Sequence, residues 1–330
     1  MDGCPTELLL KIFTLACTDG GYTGCSLSLV SRGVHATSSP VKFHTVALRG
    51  VASMCLFLDL LESKSPHPPT VRHLFLYDGD RRTDQPYAGQ DQADVAASII
   101  STLGPSLLTL AGSLIDIRAE SATIMSPQHH LPLLQDFSLM SIVTPSRMGT
   151  VCVALPNLPN LRRLHEWVTI YDSDNIFDFN VLTDAAPNLE QIRLSGLNRS
   201  RGIPAMLDAA FKGIKVHWGE WDKDGHEYKL PKNIKRFIVS CLDTTDWNKD
   251  GRLKEVDIRM LTRLSELATE HKQVVLVPVL QRYTIQDNWE DWLDVIEGGD
   301  GCWRIPPKIT SNEKRMRIDT YVDLPDDFFD

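Results

Sequence analysis

A short motif recurs along the chain and constrains its fold more than any other feature. The motif is proline, any residue, an apolar residue, two residues of any kind, apolar, any, apolar. It reads "PTVRHLFL" from Pro69, "PLLQDFSL" from Pro132 and "PNLEQIRL" from Pro187. "PNLRRLHE" from Pro159 lacks only the last apolar residue, and "PSLLTLAG" from Pro105 fits if its register shifts by one. Apolar residues two positions apart indicate a short strand with one buried face.

The spacing of the motif predicts a repeat architecture. The prolines from Pro105 to Pro187 follow one another at intervals of 27, 27 and 28 residues. Segments between the motifs, such as 92–104 and 202–213, have the apolar spacing of helices. One strand and one helix about every 27 residues is the pattern of leucine-rich repeats. We therefore predict an α/β fold, an irregular leucine-rich-repeat-like solenoid with a parallel sheet; the alternative is a compact α/β domain.

The motif also predicts how the strands pair. Further strand candidates are "IKRFIV" from Ile234 and "KQVVLVPV" from Lys272. Each unit is too small to bury its own strand, so neighbouring units must stack and share one core. Residues from about 69 to 280 should form one continuous curved sheet, with Leu139 and Leu194 inside the core. We expect parallel neighbours in chain order at 73–76, 137–139, 164–166 and 192–194.

A stack of repeats needs both of its ends covered. The N-terminal helices and "VASMCLFLDLLES" from Val51 are candidates to cover one end. At the other end we expect a helical apolar stripe made of Ile285, Trp289, Trp292, Leu293 and Ile296. The predicted division is a helical module at 1–48, a repeat array at 49–284, and a capping helix with an irregular tail at 285–330.

The first 48 residues predict short helices with more apolar residues than they can bury against one another. Pro5 suits the first position of a helix, and Ser26 suits the N-cap of the next one. Leucine, isoleucine and valine occur both on and beside the internal helical stripes. The surplus either packs on the rest of the chain or forms a surface for a partner.

The order and type of these residues resemble an F-box, and look most like the divergent F-box-like sequences of mushroom-forming fungi. The resemblance rests on "CPTELLLKIF" from Cys4, "LSLVSR" from Leu27 and "PVKFHTVAL" from Pro40. It implies a three-helix module that binds a Skp-type adaptor, which in turn docks on a cullin ubiquitin ligase. The adaptor contacts implied by the resemblance are Pro5, Leu8, Ile12, Leu29, Val30 and Arg32.

The resemblance and the repeats together predict the substrate receptor of a cullin–RING ubiquitin ligase, with no catalysis of its own. The protein substrate would bind the concave strand face, through Arg193, Arg163, His165 and His73. One alternative is a scaffold whose F-box-like segment only caps the array and recruits no ligase.

A second alternative is a calcium-binding protein, since "DWNKDGRLKEVD" at 246–257 matches the EF-hand loop pattern. Lys254, at the ninth position, opposes a cation, and the segment before the loop reads as a strand. We interpret it as a polar loop that does not bind calcium tightly. Its potential oxygen ligands are Asp246, Asn248, Asp250 and Asp257.

Composition narrows the remaining classes of function. The 34 basic and 43 acidic residues leave a net charge of -9, which argues against nucleic acid as a partner. Without an apolar run of about 18 residues, no membrane partner is expected. Seven cysteines without a C-x-x-C pair predict reduced thiols in a cytoplasmic or nuclear protein, with no zinc site. No nucleophile motif or cofactor fingerprint occurs, so we expect no enzyme, cofactor or metal.

Overall fold

The structure is a computed structural model, and it describes ten segments of the chain. These are residues 4–63, 69–77, 92–114, 128–141, 155–168, 179–197, 202–217, 224–241, 255–277 and 284–305. The predicted calcium loop at 246–257 lies outside the described residues, apart from the backbone of 255–257 at the start of a helix.

Eight strands form one parallel sheet, and their order in the sheet is their order in the chain. Two further short strands, β7 (Lys215–Val216) and β8 (His226–Glu227), form an antiparallel pair. The strands of the large sheet are β1 (Thr45–Arg49), β2 (His73–Tyr77), β3 (Thr109–Leu114), β4 (Asp136–Ser141), β5 (Arg163–Val168), β6 (Gln191–Leu197), β9 (Arg236–Cys241) and β10 (Val274–Val277).

Nine α-helices are described, and those between the strands lie on one side of the sheet. They are α1 (Thr6–Ala16), α2 (Tyr22–Val30), α3 (Arg32–Ser38), α4 (Val51–Glu62), α5 (Gln92–Leu103), α6 (Phe179–Ala185), α7 (Gly202–Lys212), α8 (Glu255–Glu270) and α9 (Ile285–Ile296). Short 3-10 turns occupy Ser39–Val41, Gly104–Ser106 and Gly301–Trp303. In the part of the chain that the structure describes, no helix is long and apolar enough to cross a membrane.

The α/β class, the parallel sheet and the predicted strand order are confirmed. Strands β4, β5 and β6 pair in parallel as predicted, whereas β2 and β4 are not direct neighbours, because β3 lies between them. Leu194 is fully buried, and Leu139 is partly buried against the same core. The predicted shift of register at Pro105 is wrong: Leu110 aligns with Leu74 and Phe137, and Gly112 takes the last apolar position.

Gly112 stands there because the neighbouring strand approaches too closely for a side chain. A Cβ atom at this residue would lie 1.8 Å from the carbonyl oxygen of Leu76. Its φ of +150° also disfavours other residues. The sheet therefore pairs without interruption where the motif loses an apolar side chain.

Two hydrogen-bond patterns repeat where the chain enters each strand. One carbonyl per unit accepts two backbone N–H groups from the next unit; the six acceptors are His44, Arg72, Leu108, Gln135, Arg162 and Glu190. In addition, Asn188 Nδ2 donates to the carbonyl of Pro159 at 2.8 Å, and Asn160 Nδ2 donates to that of Pro132 at 2.7 Å. The Pro-Asn pair of the motif thus links one unit to the one before it.

The main core lies between the sheet and the helices α4–α8, on the side we call the helix face. Alternate residues of each strand point into it, as Leu74, Leu164 and Ile192 do. They pack with apolar residues of α4–α8, among them Met54, Ile99, Leu182, Leu207 and Leu264. Helix α4, predicted as an end cap, instead belongs to this layer, where it packs against β1 and α5.

The N-terminal helices adjoin the first strand. Helix α2 begins at Tyr22, so Ser26 lies inside it and is not its N-cap; Ser31 caps α3, accepting the Val34 N–H at 3.2 Å. Ala47 N–H donates to the carbonyl of Gly20 at 3.0 Å, so the turn after α1 reaches the outer edge of β1. The predicted module boundary at 48 falls within that strand.

The predicted C-terminal helix forms, but it does not close the stack beyond β10. Helix α9 folds back over the other side of the sheet, which we call the strand face, and contacts β3. Trp289 and Trp292 pack there against Phe75. The physical reason is that Phe75 and Ala111 form an apolar area on the strand face that the aromatic stripe of α9 buries.

Candidate functional site

The helices α1–α3 expose an apolar surface, which we call the N-terminal surface. All six predicted adaptor contacts belong to it and are exposed: Pro5, Leu8, Ile12, Leu29, Val30 and Arg32. Ile12 exposes 49% of its surface and Leu29 exposes 86%. Single exposed apolar residues are common, but several on two helices that pack together indicate an interaction surface.

The inner sides of these helices explain why the N-terminal surface faces outward. Phe13 is the buried residue of α1, and Cys17, which directly follows the helix, is also buried. Both side chains turn α1 towards the rest of the module. Val41 and Ser38 are buried near the other end of the module. With these positions turned inward, Leu8, Ile12, Leu15, Tyr22, Leu29 and Val30 are left exposed, whereas Leu9, Leu10 and Leu27 are half-buried.

Sequence reasoning missed two members of the N-terminal surface, Leu15 and Tyr22. Both are more exposed than Ile12. The helical pattern could have identified Leu15, because it follows Ile12 by three positions and so lies on the same side of α1. The N-cap predicted at Ser26 leaves Tyr22 outside the second helix, whereas the structure makes it the first residue of α2.

The surface carries little charge. Residues 4–38 contain four charged side chains, Glu7, Lys11, Asp19 and Arg32. The Asp19 carboxylate is engaged locally, where it accepts hydrogen bonds from the Thr23 N–H and hydroxyl at 2.9 and 2.6 Å. A partner that covers this surface would therefore desolvate few charges, which lowers the cost of association.

The strand face carries the four residues predicted to bind substrate, and the chain itself covers part of this face. His73 and Arg163 lie in one cross-strand row, and His165 and Arg193 lie in the next. His165 exposes 1% of its surface and Arg193 exposes 8%. For His165 and Arg193 the prediction of an open substrate-binding face is wrong, because the turn Gly301–Trp303 lies against them. His73 and Arg163 are half-buried, and their contact with a substrate stays a prediction.

A chain of hydrogen bonds joins the strand face to the segment above it. The Ser138 hydroxyl donates to Asn288 Oδ1 at 3.0 Å and lies 3.0 Å from His165 Nδ1. His165 Nε2 is 3.1 Å from the Ser195 hydroxyl, which also accepts from Arg193 Nε at 3.1 Å. A neutral His165 with its proton on Nδ1 satisfies both serines.

Two polar contacts fix the ends of this network. Arg193 donates through Nη1 to the carbonyl of Cys302. Asn288 Nδ2 donates to the carbonyl of Gly112 at 3.3 Å. Sequence reasoning overlooked Asn288, although its position between Ile285 and Trp292 places a polar residue on the apolar stripe of α9.

The histidines of the strand face are held neutral. Burial, followed by the charge of Arg193, lowers the pKa of His165 well below its ordinary value. Burial, followed by His44 and Arg72, lowers the pKa of His73 to about 4. His73 Nδ1 lies 3.0 Å from the Thr109 hydroxyl, which accepts from Trp292 Nε1 at 3.1 Å. These groups therefore position α9 and do not offer a cation to a ligand.

Arg163 keeps its charge in a different way. Burial disfavours the charged guanidinium, but its ion pair with Asp136 outweighs burial and raises the pKa of Arg163. Between this row and α9 lies a cavity of about 30 Å³, lined in part by Ser138, Asn288 and Asp291. A cavity of this size has room for about one water molecule and is too small for a metabolite.

One group of side chains on the helix side has the composition of a metal site. Asp208, Glu270 and His271 bring their ligand atoms within 4.8 Å of one another. However, Lys212 Nζ lies 2.6 Å from Asp208 Oδ1 and 3.1 Å from Glu270 Oε2, and Arg263 Nη2 lies 2.6 Å from Asp208 Oδ2. Burial disfavours the charge of Asp208, but both cations outweigh it and lower its pKa. The group is an ion-pair network between α7 and α8.

Comparison of the chain with protein-family models, with curated proteins and with solved structures finds no match. The site residues are thus assigned by geometry and by the sequence motifs alone.

Proposed function

We propose that the protein is the substrate receptor of a cullin–RING ubiquitin ligase, and that its N-terminal surface binds a Skp-type adaptor. The observation that carries the proposal is the exposure of all six adaptor contacts implied by the F-box resemblance. Removing apolar area from water contributes roughly 25 cal/mol per Å². Residues such as Leu29 and Ile12 therefore supply a driving force for association that the free chain leaves unused.

We further propose that the parallel sheet with its helix layer is a leucine-rich-repeat-like solenoid. Strand order along the chain supports this assignment, because a solenoid stacks each unit on the one before it. The repeated carbonyl that accepts two N–H groups also supports it, since the same contact recurs at every described junction from β1 to β9. This part of the molecule would present the protein substrate to the ligase.

The test is binding of the full chain to a cognate Skp-type adaptor, measured by co-purification and calorimetry. Ile12→Asp should abolish binding or weaken it by several kcal/mol, because it places a charge in an apolar interface. Ile258→Asp is the matched control: Ile258 lies on α8 and is 50% exposed, against 49% for Ile12. Wild-type protein that fails to bind the adaptor, or equal loss in both variants, would contradict the proposal.

A scaffold without ligase activity is the second candidate, and one contact favours it. The hydrogen bond from Ala47 to Gly20 pairs one backbone N–H group on the outer edge of β1, an edge that would otherwise be open to other strands. The N-terminal helices thus have a structural use whether or not they bind an adaptor. The adaptor experiment separates the two candidates, because only the ligase receptor requires that interaction.

A further inference from the structure

The segment 284–305, which we call the C-terminal strap, contacts the strand face at two separate apolar areas. Near one end, the rings of Trp289 and Trp292 lie 5.1 and 5.3 Å from the ring of Phe75. Near the other, Cys302 and Trp303 pack against Ile238 and Val277. The strap therefore spans the face from β2 to β10.

These two areas are separate from the main core. The cluster under α9 and the cluster under the 3-10 turn share no buried residue with the large cluster between the sheet and α4–α8. Leu194 and its neighbours on the helix face would keep their packing if the strap left the sheet. Release of the strap is thus a local opening and not an unfolding of the whole chain.

The strap also contains its own helix cap and its own turn, which are separate from its contacts with the sheet. Thr284 and Asp287 form a capping box: the Asp287 N–H donates to the Thr284 hydroxyl oxygen at 3.2 Å, and the Thr284 N–H donates to Asp287 Oδ2 at 2.6 Å. Asp294 accepts from Arg304 and from the Gly301 N–H, which folds the 3-10 turn back on α9. These bonds hold the strap in the helical form that fits the strand face, so removing the cap favours the open state.

The strap is strongly acidic, and side chains of the strand face bind it specifically. The strap carries six acidic residues and one arginine, a net charge of -5: Asp287, Glu290, Asp291, Asp294, Glu297 and Asp300 against Arg304. The strand face contacts the strap through two arginines. The guanidinium of Arg49 lies 4.8 Å from the ring of Trp289, a cation–π contact, and Arg193 binds the carbonyl of Cys302.

We propose that the C-terminal strap is a displaceable intramolecular ligand of the strand face, and that the external partner of this face is an acidic, amphipathic helix with a pair of aromatic residues. Such a helix would reproduce the charge and the ring contacts of α9 while the strap is open. The strap then sets the affinity, because a partner must outcompete a segment of the same chain. This inference concerns the strand face alone and does not depend on adaptor binding.

Hydrogen exchange of the full chain tests whether the strap opens separately. The amides of 286–297 should exchange through an opening that leaves β4, β5 and β6 protected. Thr284→Ala removes the cap without touching the face and should increase that opening about fivefold. Ser31→Ala, which removes the cap of α3, should leave exchange in α9 unchanged. Equal protection of α9 and the strands, or no response to Thr284→Ala, would overturn the proposal.

Peptide binding to the full chain tests the chemistry of the partner. A fluorescent peptide with the sequence of residues 284–305 should bind the Trp289→Ala chain at least about tenfold more tightly than the wild type, because the weakened strap competes less. Thr284→Ala should also tighten binding of the peptide, but by less than Trp289→Ala does. A peptide with both tryptophans replaced by alanine should lose the binding. If neither variant binds the native peptide more tightly than wild type does, the strap is a permanent part of the fold and the proposal fails.

Discussion

The same strands form both faces of the sheet, but the two faces carry side chains of different kinds. On the helix face, leucine, isoleucine and valine follow one another from strand to strand and share one core with α4–α8. On the strand face, His73, His165 and Arg193 are bound by serine, threonine and the C-terminal strap. Non-directional apolar burial holds the helix face, whereas the strand face combines apolar contacts with paired polar groups. Substitutions should therefore destabilise the protein more on the helix face than on the strand face. Changes of pH should act more on the strand face.

The largest effect is expected on the helix face. Leu194→Ala should lower the free energy of unfolding by about 2–5 kcal/mol, because the side chain is fully buried and leaves a cavity. Leu133→Ala, at a position that is 38% exposed, is the control and should cost far less. Urea unfolding measures both. Equal losses would mean that the helix face does not carry the core.

The second prediction concerns acid and the strand face. The pKa of His73 is about 4 in the folded chain and ordinary in the unfolded chain, so the unfolded state binds the proton more strongly. His73 therefore makes its full contribution to stability above pH 6.5. That contribution, at most about 3 kcal/mol, is lost as pH falls towards 4.

Unfolding measured from pH 7 to pH 4 checks this. His73→Asn should flatten that part of the profile, and His130→Gln, at an exposed site, is the control that should leave the profile as it is. An unchanged profile in the His73 variant would show that the strand face does not hold its histidine neutral.

A third prediction sharpens the contrast, because one polar residue stands on the wrong face. Glu166 is in register with Leu139 and Leu194 on the helix face, and burial raises the pKa of its carboxyl to about 7. The folded state binds its proton more strongly, so stability declines as pH rises from 4.5 through 7. Glu166→Leu should therefore raise the free energy of unfolding at pH 8 by about 1–2 kcal/mol.

The pH dependence separates this effect from a simple gain in packing. Glu166→Gln, which resembles the protonated acid, should recover part of the gain at pH 8 and none at pH 4. A Glu166→Leu protein that is less stable than wild type at pH 8 would mean that the carboxylate has a partner and that the helix face tolerates charge.

The smallest effect is expected at the junctions that both faces share. Asn188→Ala removes the hydrogen bond to the carbonyl of Pro159 and should cost about 1 kcal/mol. Asn233→Ala should cost less, because its amide reaches the carbonyl of Pro187 at 3.3 Å. Thermal unfolding of the two variants side by side ranks them. The reverse ranking would show that these amides do not link the units.

Periodicity alone determined the elements and their order. Apolar residues two apart placed the strands, and helical stripes placed α5, α7 and α9, because these patterns report which side of each element is buried. Equal spacing of the motif predicted parallel neighbours in chain order, which the sheet confirms. The surplus of apolar residues on the short helices left open whether Ile12 and Leu29 pack on the rest of the chain or face a partner; the structure exposes them, and their adaptor role stays a prediction.

Only the tertiary structure decided which surfaces remain open. The stripe of α9 showed that the helix must bury one side, but nothing in its spacing says what covers that side. Phe75 and Ala111, distant in sequence, supply the matching area on the strand face, and this turns His165 and Arg193 from surface residues into buried ones. Likewise, a glycine stands in an apolar ladder at Gly112 because the carbonyl of Leu76 fills the space. Such contacts depend on distances between strands, which a linear pattern does not contain.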